Sequence, residues 1–178
     1  MEQGSQEWLD LRRTKIGASD AAAIMGRSPY KTAFDVWEEK VLGKKLPVTN
    51  AMREGLERES EARAAFESLM NVAVIPTVIV EEYQMASLDG ITLERDMIVE
   101  IKCPKGPGLF ELAKNGNLPD EYWIQIQHQL YFSEAEMAYY YCYFNGNGIA
   151  LKVFPDGDFI KEMLISQEKF YQYMVTQE

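Results

Sequence analysis

Histidine is almost missing from this chain: His128 is the only one in 178 residues, and cysteine occurs just twice, as Cys103 and Cys142. A lone histidine is more often structural than catalytic, so nothing here supports a hydrolase built on histidine. The two cysteines have no metal-ligand spacing and are expected to be buried free thiols. Long apolar runs are also absent. No stretch approaches the roughly 20 apolar residues needed to cross a bilayer, and Met1 to Glu7 lacks the basic and apolar regions of a leader. These absences predict a cytoplasmic protein with no membrane partner. Positive charge is scarce, with 18 Lys and Arg against 28 Asp and Glu, a formal net of −10. Phosphate affinity comes largely from Lys and Arg, which argues against non-specific nucleic-acid binding. The deficit is uneven, however. Residues 1–31 carry five basic side chains (Arg12, Arg13, Lys15, Arg27, Lys31) against four acidic ones, whereas residues 117–178 carry three against nine. An acidic chain of this kind can still hold DNA locally, and carboxylates of a metal site count as acid while being neutralised in use.

The length suits one domain over residues 1–178 with a sizeable core, and no repeat or linker divides it. Ser5 is expected to cap a helix through Arg13, and Ala18–Met25 reads as a small-residue helix. Thr32 begins a helix that Gly43 stops, and Asn50 caps a long helix to about Met70. The period then changes: β-branched residues fill 72–80, and short strands are expected near Gln84–Leu88 and Met97–Lys102. A helix opens at Pro119-Asp120 and runs to about Phe132, strands over 137–144 and 149–154 flank Asn145-Gly-Asn-Gly148, and Ser166 is expected to cap a terminal helix. The order predicts an α/β (α+β) fold with a mixed central β-sheet flanked by helices.

The chemistry is concentrated in Met97-Ile-Val-Glu-Ile-Lys-Cys-Pro104. Residues i and i+2 of a strand share a face, so Glu100 and Lys102 project together while Val99 and Ile101 face the core. Asp89-Gly90 reads as a hairpin signal that places Asp89 one strand back, beside Glu100. Two carboxylates next to a lysine can hold a divalent metal and position a water for attack on a phosphodiester; a cross-strand salt bridge is the simpler alternative. On the long helix Glu59 falls on the stripe of Met52, Leu56, Arg63, Phe66 and Met70, where a carboxylate needs a metal or Arg63 as partner. Glu57 and Glu61 point elsewhere. In Tyr122-Trp-Ile-Gln125-Ile-Gln127-His-Gln129, Gln125 and Gln129 lie one turn apart, able to contact DNA or to hold catalytic side chains, while Gln127 points nearly opposite.

Taken in order, Asp89-Gly90, Glu100-Ile-Lys102-Cys-Pro104, the helix Gly55-Leu-Glu-Arg-Glu59-Ser-Glu-Ala-Arg63 and Gln125-Ile-Gln127 resemble the phage recombination exonucleases typified by lambda exonuclease. This is the YqaJ type of the PD-(D/E)xK nuclease superfamily. Trp8-Leu-Asp-Leu-Arg12, Ile16-Gly-Ala-Ser19-Asp20 and Ser28-Pro-Tyr-Lys-Thr32 with Trp37 agree, so the resemblance spans about residues 5–145; Leu88 replaces the proline usual before the motif aspartate. It implies a 5′ to 3′ exodeoxyribonuclease acting on linear double-stranded DNA ends. Asp89, Glu100 and the carbonyl of Ile101 would hold Mg2+, with Mn2+ able to substitute, and Glu59 would complete a second metal position. Lys102 would orient or deprotonate water, Gln125 would support the nucleophile, and Arg12 and Ser19 would hold the 5′-phosphate. A homotrimeric ring and a single-strand annealing protein are the implied assembly and partner. An endonuclease of the same superfamily, or an inactive DNA-end-binding module, are the alternatives.

Overall fold

The computed structural model describes residues 3–44 and 50–176, with side chains over 3–44 and 58–176. The expected cap at Asn50, the stripe positions Met52 and Leu56, and Glu57, expected off the stripe, lie outside the described side chains. Helix α1 (Gln6–Thr14) begins at Ser5, whose Oγ accepts from Trp8 N, and leads through β1 (Ile16–Gly17) into a 3-10 turn (Ala18–Asp20) and α2 (Ala21–Ile24). The expected 18–25 helix is therefore a short turn followed by a short helix. Three alanines of α2 are buried, which lets neighbouring elements approach closely. Helix α3 (Ala33–Lys40) starts with a capping box between Thr32 and Asp35, and α4 spans Asn50–Met70.

One six-stranded mixed sheet follows the order β1-β3-β4-β5-β6, with β2 (Val74–Val80) paired to β3. Strand β3 (Gln84–Thr92) runs antiparallel to β4 (Met97–Lys102), and β4 runs parallel to β5 (Met137–Phe144) in register Glu100 with Tyr140. Strand β6 (Asn147–Val153) closes a hairpin on β5. Asn145 and Gly146, both at positive φ, form its two-residue turn. Between the strands lie α5 (Pro107–Lys114) and α6 (Asp120–Ser133), and α7 (Gly157–Thr176) ends the chain. Burial in β4 is nearly continuous, as expected of a central strand covered on both faces. One face packs Leu88, Ile98, Tyr140 and Ile126, and the other packs Val99, Tyr141, Ala62 and Phe66.

Two expectations are corrected. Asp89-Gly90 is not a hairpin turn; it lies inside β3, with Gly90 opposite Val99, and the chain reverses after Thr92, with Arg95 at positive φ. Glycine is needed for close approach instead, because a Cβ at 90 would stand 2.6 Å from Val74 Cγ2 and 2.9 Å from Val99 Cγ1. Likewise Ser166 does not cap the last helix. That helix starts nine residues earlier, where Asp156 Oδ1 accepts from Phe159 N, and Ser166 Oγ donates back to Glu162 O.

β1 and β4 share one edge of β3, because β2 occupies the other over Met85–Thr92. β1 pairs only with Gln84 and Met85, and β4 only with Gly90 and Ile91. Along the stretch between them, side chains take the backbone carbonyls: His128 bonds Met85 O, Gln129 donates to Ser87 O, and Arg63 donates to Asp89 O. The interrupted ladder is what opens a cleft in the sheet.

Candidate active site

Strand β4 brings Glu100 and Lys102 to one face, as their spacing requires. Glu100 is 2% exposed, and Lys102 Nζ donates to its Oε1 at 2.5 Å. Helix α6 supplies two more donors: Gln125 Nε2 reaches Oε1 at 2.7 Å and Gln129 Nε2 reaches Oε2 at 2.6 Å. A buried carboxylate persists only when so satisfied. Asp89 lies across from Glu100, its Oδ2 accepting from the backbone N–H of Ile101 at 2.8 Å. From α4, Glu59 pairs with Arg63, whose Nε also donates to Asp89 O at 2.7 Å. Sequence-predicted Glu59, Asp89, Glu100, Ile101, Lys102 and Gln125 thus gather on one cluster. Lys102 also lies 4.7 Å from the centre of the Tyr122 ring.

The electrostatics follow from crowding. Burial, then Glu100 and Glu59, pushes the Asp89 carboxyl well above its usual range, against the pull of Lys102 and the Ile101 N–H. Burial raises Glu59 too, with Arg63 opposing. Lys102 is held the other way: burial works against its charge, but Glu100 and Asp89 prevail and keep the ammonium protonated. The donors are hard oxygens, the set that Mg2+ or Mn2+ prefers. Among the described residues no three Asp, Glu, His or Cys side chains are grouped to hold one ion. Mg2+ needs only one or two carboxylates plus waters and substrate phosphate, so Asp89 and Glu100 fit that demand.

Beside this cluster lies a cavity of about 40 Å³ lined by Arg12, Gly17, Ala18, Ser19, Met85, Ser87 and Gln125. Arg12 Nη2 donates to Ser19 Oγ at 2.7 Å, and its guanidinium packs 5.1 Å from the Trp8 ring centre. Trp8 Nε1 in turn donates to Ser87 Oγ at 2.9 Å.

The family model for the YqaJ-like viral recombinase domain matches residues 7–136. The chain belongs to this family. It is 27% identical over 181 residues to the uncharacterised protein YqaJ of Bacillus subtilis (strain 168), covering 94% of this chain and 55% of that protein. It therefore spans about half the length of that curated relative. Solved structures share the fold, two of them exonucleases by name. The alkaline exonuclease LHK-Exo of Laribacter hongkongensis superposes with a TM-score of 0.84 at 23% identity, covering 97% of this chain and 94% of that one. A phage-related exonuclease of Haemophilus somnus 129PT gives 0.71 at 15% identity, covering 95% and 98%.

Ser87 and Tyr122 were not singled out from sequence, and Gln129 was not assigned to the site. Gln129 carried a signal, its one-turn spacing from Gln125. Ser87 carried none, since its role depends on the gap between β1 and β4. Gln127 does point away, donating to Phe154 O and accepting from Asp156 N. His128 is structural, buried between Met85 O and Gln167 Nε2. Of the expected buried thiols, Cys142 is buried but Cys103 is only half-buried; both are free. No described helix is long and apolar enough to cross a membrane.

Proposed function

We propose that the chain is a Mg2+-dependent exodeoxyribonuclease, a single nuclease domain that degrades one strand of linear duplex DNA from its 5′ end in phage-type recombination or repair. The observation that carries this reading is the shared position of Gln125. Its amide donates to Glu100 Oε1, and the same side chain lines the Arg12 cleft, so an end phosphate and a phosphodiester at Glu100 would be held side by side.

Asp89, Glu100 and the carbonyl of Ile101 would hold the cation, with Glu59 available for a second position once released from Arg63. A cation held there would supply polarisation of the scissile phosphate and a more nucleophilic water. Lys102, held cationic against burial by Glu100 and Asp89, would orient the attacking water or help to deprotonate it and would offset charge at the phosphate. Gln125 and Gln129 keep the Glu100 oxygens in place. Arg12 and Ser19 would take the terminal phosphate through charge-assisted and hydroxyl hydrogen bonds.

The test compares a 5′-phosphorylated linear duplex with the same DNA as a closed circle, in Mg2+ and in Mn2+. Nucleotide release from the linear form alone is expected. Cutting of the circle would indicate an endonuclease, and intact DNA in both would indicate an end-binding module. The family resemblance adds a homotrimeric ring, a single-strand annealing partner and a cytoplasmic setting; native mass spectrometry tests the trimer.

A further inference from the structure

Behind the Arg12 cleft lies an ion cluster that the proposed chemistry does not use. Asp20 is 0% exposed. Its Oδ1 accepts from Lys31 at 2.9 Å, and its Oδ2 accepts from Gly17 N at 2.9 Å and lies 2.8 Å from Lys40 Nζ. The Lys40 side chain is itself only 3% exposed, and it also donates to the backbone carbonyl of Arg12 at 2.8 Å. That carbonyl lies in the last turn of α1, where carbonyls lack an intrahelical partner. The wall between the two groups is thin. A Cβ on Gly17 would sit 3.3 Å from Asp20 Oδ2 and 3.6 Å from Arg12 Nη1.

Replacing a buried ion pair by apolar side chains is often neutral or stabilising, so the pair is weak evidence for a role in stability. What it does here is geometric. Lys40 fixes the backbone from which Arg12 springs, Asp20 fixes Lys40 and the Gly17 backbone, and Trp8 and Ser19 hold the far end of Arg12. Lys31 binds the same carboxylate but is otherwise joined to Glu39, not to Arg12.

We infer that Lys40, anchored on Asp20, is a positioning residue that sets how strongly the Arg12 cleft recognises a DNA-end phosphate, without touching that phosphate. The inference rests on the proposed reading of the cleft as a phosphate site.

The experiment measures kcat and KM on one linear duplex carrying either a 5′-phosphate or a 5′-hydroxyl, for wild type, Lys40→Met, Lys31→Ala and Asp20→Asn. Wild type is expected to prefer the phosphorylated end by about tenfold in kcat/KM, the scale of one lost charged contact. Lys40→Met should reduce the preference to within about twofold, through a higher KM on the phosphorylated end, and change the hydroxyl-end rate less than about threefold. Lys31→Ala should keep the preference. Asp20→Asn is isosteric, lies outside the cleft lining and removes the charge that holds Lys40, so it should lose at least about half of the preference, which carries the test if Lys40→Met does not fold. Preference retained in Lys40→Met, or in Asp20→Asn where Lys40→Met does not fold, overturns the inference. So do equal losses on both ends, or a loss in Lys31→Ala matching that in Lys40→Met. A wild type indifferent to the phosphate overturns the reading of the cleft itself, and the inference with it.

Discussion

Gln129 donates from a single nitrogen to two acceptors, Glu100 Oε2 at 2.6 Å and Ser87 O at 3.0 Å, which fixes which end of its amide faces the carboxylate. With Gln125 on the other oxygen, two amides one helical turn apart grip Glu100 from both sides. The side chain of Gln129 is fully buried, and its Oε1 has no partner among the described residues, so the contact to Glu100 is made at the cost of an unsatisfied acceptor.

A Gln129→Leu variant should therefore lower kcat about 10- to 100-fold, the worth of a hydrogen bond to a charged group at about 1.5–3 kcal/mol. KM for DNA should change far less, since Gln129 does not line the cleft. Steady-state kinetics on a linear duplex decide the matter, and an unchanged kcat would remove Gln129 from the positioning of Glu100.

Lys102→Ala and Glu100→Gln should each reduce nuclease activity by more than about a thousandfold, roughly 4 kcal/mol of barrier, with native circular dichroism retained. Glu100→Gln is preferred to Glu100→Ala because alanine would strand Lys102, Gln125 and Gln129 without their acceptor. Activity within about tenfold of wild type in either variant would contradict the assigned roles.

The two glutamates of α4 separate by partner. Glu59 faces Arg63 and the β3–β4 cluster, whereas Glu61 Oε1 accepts from Tyr143 OH of β5 at 2.7 Å. Glu59→Ala should cost at least about a hundredfold in activity, or about 2.7 kcal/mol. Glu61→Ala should leave turnover near wild type and lower stability by about 1 kcal/mol, the net worth of one hydrogen bond. A larger activity loss at Glu61 would overturn the assignment.

Much of this site was legible because strand and helix periods are local. Glu100 and Lys102 share a face at i and i+2, Gln125 and Gln129 at i and i+4, and Arg63 and Glu59 at i and i+4, and the structure brings all six to one cluster. The misreadings arose where local signals compete with tertiary packing. Asp-Gly is a turn dipeptide in isolation, yet Gly90 serves the close approach of Val74 and Val99. Ser166 has the residue type of a cap, but Pro155-Asp156-Gly157 had already started the helix. The Asp20 and Lys40 pair escaped notice because its partners come from α1, α3 and the turn between, a meeting that no single period encodes.

His128 gives an acid-side prediction. Burial lowers its pKa from 6.5 to about 4, so the native state resists the proton that the unfolded chain accepts. Its contribution is complete above the unfolded value and is lost as pH falls from about 6.5 through about 4, amounting to about 2 kcal/mol between pH 7 and 5. Asp20, held below its usual range despite burial by Lys40, Lys31 and Arg12, adds its own loss below about pH 4. Denaturant unfolding at several pH values should show the first slope in wild type and not in His128→Asn. A slope of equal size in both would mean that other groups control the acid limb.

Asp89 works in the opposite direction. Burial, Glu100 and Glu59 raise its carboxyl, so the folded state favours the protonated form more than the unfolded chain does. Its contribution to stability is then fully present below the unfolded pKa of about 3.9 and is lost as pH rises through the higher folded value. In chelator, Asp89→Asn should therefore be more stable than wild type at pH 8, because the amide still accepts from the Ile101 N–H but adds no charge beside Glu100. A rise in Tm of about 2–4 °C, the equivalent of about 1 kcal/mol at this chain length, is expected. Millimolar Mg2+ should stabilise wild type and not the variant, since ligand binding to the native state alone raises its Tm. The difference should shrink as pH falls toward 4. If Asp89→Asn is instead less stable in chelator at pH 8, the carboxylates are not repelling one another and a shared cation position at Asp89 loses its physical basis.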